Sequence, residues 1–262
     1  MFRVGYLQFR PRYGDVPANR DRAIALLSNV EADLVVLPEL AFTGYGFGSR
    51  REARRLAEDP SNSETVDALV ALCKRRSTYV CTGFAERDGD RLFNSALTIG
   101  PRGPVQTYRK LHLFNDEKSW FDPGDLPLAV RRIRGARVGT MVCFDWAFPE
   151  VARTLTLEGA QVIAHPSNLV LDFCQKTMLT RCLENAVYAV TCNRYGEERR
   201  PHGTIAFTGR SQVVGPKGEL VQRARPDRDA LHVEKLDPSA ANDKKITARN
   251  HLVRDRRPEF YR

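Results

Sequence analysis

No stretch of this sequence approaches the roughly 20 consecutive apolar residues that a membrane-spanning helix needs. The opening nine residues, MFRVGYLQF, also lack the apolar core and small-residue cleavage site of a secretory leader. A cytoplasmic protein with no membrane partner is expected. The six cysteines (73, 81, 143, 174, 182 and 192) never form a CxxC pair, which removes the usual dithiol and zinc-ribbon spacings. Without a leader, a disulfide framework is not expected either. The five histidines show no HxxxH or HExxH spacing, so no metal site is expected. Long runs of one charge sign are also missing. Lys and Arg exceed Asp and Glu by 41 to 32, a formal charge of +9, yet the bases sit beside acids, as in RREARRLAED (50–59). Such mixing describes a solvated, ion-paired surface rather than a stripe that follows phosphates, and no nucleic-acid partner is expected.

What is present suits a globular enzyme or binding protein. With 262 residues, 42% of them hydrophobic, the chain can bury a large core, and one domain over 1–262 is expected. Arg3–Phe9 alternates like a strand, and Asn19–Glu31 follows with helical periodicity. Ala32–Pro38 (ADLVVLP) is a continuous apolar run, as in a strand covered on both faces. After a glycine-rich turn at 43–48, helices are expected at Arg50–Glu58 and Ser61–Arg76, the second opened by the capping box Ser61-x-x-Glu64. Strands follow at Tyr79–Glu86, Leu92–Ile99 and Val105–Tyr108.

The second half repeats this order. RVGTMVCF (137–144) echoes RVGYLQF (3–9), and AQVIAHPS (160–167) echoes ADLVVLPE (32–39). VYAVTCN (187–193) matches TYVCTGF (78–84), and GPKGELVQ (215–222) matches GPRGPVQ (100–106). Shared α/β composition is the alternative explanation. If the repeat is structural, each half supplies one sheet with its helices, and stacking the sheets face to face gives a four-layer α–β–β–α sandwich of two pseudo-symmetric halves. The polar stretch 238–262 has no clear period, and its Phe260–Tyr261 pair suggests a tail that docks on its own core or on a second subunit.

Three apolar strands end on reactive residues: Ala32–Pro38 delivers Glu39, Val105–Tyr108 delivers Arg109 and Lys110, and Val138–Val142 delivers Cys143. A neutral thiol needs a base or a nearby cation to act as a nucleophile. A thiol, a carboxylate and an ammonium together make a complete set for attack on a carbon bonded to nitrogen. Singly, each residue has an ordinary structural reading: a buried strand cysteine, a turn glutamate, a surface lysine. Tyr45, Trp120, Trp146 and Phe173 are candidates for an aromatic wall around a small uncharged substrate, or plain core aromatics, with Asn168 placed beside them. Whether Cys174 reaches that pocket is open.

LVVLPE-x-x-x-TGY around Glu39, YRKLHLF around Lys110 and VCFDWAFPE around Cys143, in this order, resemble the nitrilase superfamily of carbon–nitrogen hydrolases, and weaker similarity runs from Arg3 to DRRPEFY (255–261). The resemblance implies an α–β–β–α sandwich with Glu39 as general base, Lys110 as catalytic lysine and Cys143 as nucleophile. It implies that Glu117 orients the lysine or substrate, and that the Phe144 N–H shares an oxyanion hole with Lys110. It further implies a homodimer and no cofactor. The expected reaction is hydrolysis of a small aliphatic nitrile or amide through a thioester. The arginine that several carbamoyl- and ω-amide-directed branches carry just after the cysteine is replaced here by Asp145-Trp146-Ala147. An N-carbamoyl amidohydrolase therefore stands as the alternative, together with a non-catalytic binding module, a polyanion-binding protein and an acyl-transferase on the same fold.

Overall fold

The computed structural model describes residues 1–261. The N-terminal half begins with β1 (Phe2–Gln8), α1 (Val16–Leu26), β2 (Leu34–Val36), α2 (Arg50–Leu56) and α3 (Glu64–Arg76). It continues through β3 (Tyr79–Asp88), β4 (Arg91–Gly100) and β5 (Gly103–Arg109) to the single turn α4 (Glu117–Trp120). The other half opens with β6 (Val130–Ile133), β7 (Ala136–Thr140), α5 (Pro149–Leu157), β8 (Val162–Ser167), α6 (Cys174–Asn185) and β9 (Tyr188–Asn193). A hairpin, β10 (Tyr195–Arg200) and β11 (Gly203–Thr208), precedes β12 (Gln212–Val214), β13 (Leu220–Arg223) and β14 (Ala230–Leu236).

Two six-stranded sheets have the orders β14-β1-β2-β3-β4-β5 and β13-β12-β9-β8-β7-β6. In each, three strands run parallel (β1–β2–β3, β7–β8–β9), and two antiparallel strands follow (β4–β5, β12–β13). The four repeats read from sequence fall on β1 and β7, β2 and β8, β3 and β9, and the β4–β5 and β12–β13 turns. They are therefore structural repeats. The outermost partner of β1 is β14 and that of β7 is β6, both antiparallel. Neither was anticipated, because VRRI and ALHVEKL are polar, half-exposed edge strands with no apolar run.

Strand alternation separates the layers. Phe2, Val4, Tyr6, Leu34 and Val36 face the second sheet and pack with Val138, Val162 and Val190. Leu7, Phe9, Val35 and Leu37 point the other way, onto Ala23 and Leu27 of α1 and Val66, Leu69 and Leu72 of α3. Helices α5 and α6 cover the second sheet through Val151, Leu155, Met178 and Cys182. The result is the expected α–β–β–α sandwich.

Two helix starts differ from expectation. α1 begins at Val16, because Asp15 accepts from the Ala18 N–H (3.3 Å) and Pro17 sits in the first turn; Asn19 is buried within the helix, donating to the carbonyls of Arg12 and Phe42. α3 is capped by Ser63, whose Oγ accepts from the Val66 N–H (3.1 Å), while Ser61 is occupied with Asp59. Among the described residues, no helix is long and apolar enough to cross a membrane.

Candidate active site

The backbone sets each reactive side chain. After β2 the chain turns sharply at Leu40, a non-glycine residue at φ +46. β3 passes so close that a Cβ on Gly83 would stand 2.3 Å from both Glu39 Cα and Leu40 N, so the turn that carries Glu39 needs glycine opposite it. Glu39 N–H reaches Ser167 O (3.4 Å), its counterpart at the end of β8, and so links the two halves. Lys110 extends the β4–β5 ladder by donating its N–H to Asn94 O (2.9 Å). A Cβ on Gly124 would lie 2.1 Å from Arg109 O, so this crossing also requires glycine. Consecutive residues then diverge: Arg109 pairs with Glu86, Asp88 and Asp125, while Lys110 turns inward and is buried.

Lys110 Nζ lies 2.7 Å from Glu39 Oε1 and 2.8 and 2.7 Å from the two oxygens of Glu117. Tyr45 donates its hydroxyl to Glu117 Oε1 (2.7 Å), and the Phe114 N–H donates to Oε2 (3.1 Å). Asn94 Nδ2 donates to Glu39 Oε1 (2.8 Å). Glu39 Oε2 is buried with no hydrogen-bond partner among the described residues. Burial alone would depress the ammonium's pKa, but the charges of Glu117 and Glu39 outweigh it, and Lys110 is held above its ordinary value. Burial raises Glu117; Lys110 pulls against that rise and Glu39 adds to it.

Cys143 follows β7 and opens a 3-10 turn, Cys143–Ala147, at φ +42. The turn is pinned by Asp145, which has no exposed surface and accepts from Val142 N–H (2.9 Å), Tyr108 OH (2.6 Å) and His112 N–H (3.3 Å). Tyr108 and His112 flank Lys110 in sequence, so Asp145 fastens the cysteine turn to the segment that carries the lysine. Burial first, and then the Glu39 charge, hold the thiol well above its ordinary pKa; Lys110 and the Asn168 backbone N–H pull the other way. The resting sulfur therefore keeps its proton, and any attack must hand that proton on as the new bond forms. Among the described residues, the Phe144 N–H makes no hydrogen bond within the chain.

A small cleft opens over Cys143, lined by Phe114, Phe144, Trp146, Asn168, Leu169, Val170 and Leu171. Of the pocket residues expected from sequence, Trp146 and Asn168 line it. Tyr45 and Trp120 lie behind Glu117, packed edge-to-face with each other and with Phe207 and Phe47 respectively. Phe173 is half-exposed against the outer edge of Trp146. Cys174 does not line the cleft; it is buried in the core as the first residue of α6. Sequence reasoning did not single out Asn94, Asp145 or His165. The available signals were an asparagine inside the apolar strand LFNSALTIG, an acid two residues after the cysteine, and a histidine inside VIAHPS.

Comparisons with known proteins identify the family. The family model described as carbon-nitrogen hydrolase matches residues 3–245. The chain is 42% identical to a nitrilase of Pyrococcus abyssi (strain GE5 / Orsay) over 100% of this chain and 99% of that one. It is 31% identical to an (R)-stereoselective amidase of a Pseudomonas species, over 90% of this chain and 85% of that one. The crystal structure of a carbon-nitrogen hydrolase from Helicobacter pylori G27 superposes with a TM-score of 0.87 at 25% identity, covering 99% of this chain and 97% of that one. With two mirrored sheets, a buried carboxylate–ammonium cluster beside a cysteine on a strained turn, and these matches along its length, the chain belongs to the carbon–nitrogen hydrolase family.

Proposed function

We propose that the protein hydrolyses the carbon–nitrogen bond of a small, uncharged aliphatic amide or nitrile, using Cys143, Glu39 and Lys110. The observation that carries this reading is the buried Lys110 ammonium 2.7 Å from Glu39, whose second oxygen has no partner among the described residues, with both charges near enough to act on the Cys143 thiol. Relatives named nitrilase and amidase support it, as does a lining with no charged side chain.

Glu39 Oε2 accepts the thiol proton as the sulfur attacks the substrate carbon. The negative charge that develops on the substrate oxygen or nitrogen is met by Lys110 Nζ and the Phe144 N–H. Such a donor is worth about 3–4 kcal/mol when removed from a related site. With an amide, Glu39 returns the proton to the departing nitrogen, ammonia leaves, and a thioester remains. Glu39 then takes a proton from water, the hydroxide attacks the thioester, and the acid is released with the thiol restored. With a nitrile, attack first gives a thioimidate; one water adds to it, ammonia leaves, and the same thioester follows. Glu117 and Tyr45 keep the ammonium in place, and no step calls for a cofactor.

The test is ammonia release across short aliphatic amides, nitriles and N-carbamoyl amines. Cys143→Ala is expected to lose at least 10³-fold of the activity while its circular dichroism is unchanged. Retention of a few per cent would remove Cys143 from the mechanism. A preference for N-carbamoyl amines would move the substrate class instead.

Residues 1–262 are read as one catalytic domain that pairs into a homodimer. Phe260 and Tyr261 are exposed, and Arg256, Pro258 and Tyr261 of the tail form a groove with Pro149 and Arg153 of α5 and Glu184 of α6; Leu157 of α5 and Leu183 of α6 are exposed as well. Sedimentation equilibrium is expected to give twice the mass of the chain. A monomer at micromolar concentration would reject this.

A further inference from the structure

His165 stands in β8 with no exposed surface, surrounded by hydrogen-bonding groups. Its Nε2 is 3.0 Å from Cys143 O, its Nδ1 is 3.0 Å from Thr191 Oγ1, and Ser167 Oγ lies 3.1 Å from Nε2. These contacts fix the tautomer. The Cys143 carbonyl can only accept, so Nε2 carries the proton and Nδ1 accepts from the Thr191 hydroxyl. Burial pushes the imidazole down to about 4, so it stays neutral near neutral pH and donates one hydrogen bond. It does not reach the reacting atoms and is not a candidate acid or base.

The carbonyl it holds belongs to the peptide unit between Cys143 and Phe144, whose other end is the Phe144 N–H. In a trans peptide, C=O and N–H point in opposite directions. An imidazole behind the oxygen therefore fixes the direction in which the N–H points, and it also polarises the unit, because a hydrogen bond accepted at C=O strengthens the one given at N–H. The need for an anchor is visible in the backbone: Cys143 sits at φ +42, a region non-glycine residues rarely occupy.

We propose that His165 is a positioning residue for oxyanion stabilisation, aiming and polarising the Cys143–Phe144 peptide from behind while the thiol and the Lys110 cluster act from the front. This rests on the reading of Cys143 and the Phe144 N–H given above. It implies a separation of two reactivities. Hydrolysis needs the oxyanion donor, whereas disulfide exchange of the Cys143 sulfur with methyl methanethiosulfonate displaces methanesulfinate at sulfur and creates no anionic oxygen at that position.

The experiment compares the parent with His165→Leu and His165→Gln, whose Nε2 amide can replace the imidazole donor. Substrates are propionamide and propionitrile, whichever the parent turns over, and Cys143 labelling is followed by peptide mass. His165→Leu is expected to lose at least tenfold in kcat with KM within about twofold of the parent. Its Cys143 labelling rate should stay within threefold, and His165→Gln should regain most of kcat. An unchanged kcat in His165→Leu overturns the proposal, and so does a parallel loss of turnover and labelling in a folded protein. Should His165→Leu fail to fold, Thr191→Val takes its place: it removes the hydroxyl that fixes the tautomer, and it is expected to lower kcat three- to tenfold with labelling unchanged, a parent-like kcat again overturning the proposal. A parent that remains active in Cys143→Ala would instead reject the underlying mechanism, which separates the two failures.

Discussion

Asp145 shows how a single carboxylate can hold a site together without entering the chemistry. It is buried, and its two oxygens accept from the Tyr108 hydroxyl, the Val142 N–H and the N–H of His112, whose ring Nδ1 also lies 2.8 Å away. Removing the acceptor leaves several buried donors unmatched, each costing about 1–3 kcal/mol, partly relieved by relaxation. Asp145→Ala is therefore expected to lower the unfolding free energy by about 3 kcal/mol in a urea titration and to reduce turnover at least tenfold. A variant within 1 kcal/mol of the parent would mean that the cysteine turn holds its shape without this anchor. The acid was visible in the sequence next to the cysteine. Two of its partners, His112 and Tyr108, lie 33 and 37 residues back along the chain, and no local pattern links them to it.

At the level of elements, glycines at crossing points decide whether the site can close. Gly83 lies in β3 against the turn that carries Glu39, where a Cβ would meet backbone atoms at 2.3 Å that cannot rotate away. Gly89, in the β3–β4 turn, has φ +57 and nothing within 4 Å of an added Cβ. Gly89→Ala is expected to cost about 1 kcal/mol, from left-handed backbone alone. Gly83→Ala is expected to cost about 3 kcal/mol or more and to depress activity with stability, because it displaces Glu39. Paired thermal melts check this, and equal melting points would show that β3 can retreat from the turn. The β10–β11 hairpin acts at the same scale: Glu198 accepts from Arg194 (2.6 Å) and from the N–H groups of Tyr45 and Gly46, bracing the loop whose tyrosine holds Glu117. That hairpin was not legible beforehand. YGEERR is charged, and its partner strand is largely exposed, so the pair has neither the apolar run nor the clear alternation of the buried strands.

Across the whole molecule, burial of neutral His165 couples folding to protons. Its folded value of about 4 lies below the ordinary 6.5, so between these values the unfolded chain binds more protons than the native one. The contribution to stability is full above about pH 6.5 and is lost as the pH falls toward 4. A shift of this size corresponds to about 3 kcal/mol. The melting temperature is expected to fall across that window in the parent and to fall less steeply in His165→Gln. An identical slope in the two proteins would assign the acid sensitivity to other groups.

The sequence by itself determined the two-fold repeat, the buried parallel strands of both sheets and the three strand ends that carry Glu39, Lys110 and Cys143. Apolar periodicity and strand-length runs are local properties, and burial on one or both faces imprints them directly. Tertiary structure alone decided which side chains share one charge cluster, which aromatics line the cleft rather than stand behind Glu117, and where the polar edge strands pair. Those outcomes depend on contacts between residues tens of positions apart, on backbone approaches at Gly83 and Gly124 too close to admit a Cβ, and on hydrogen bonds whose partners no local pattern records.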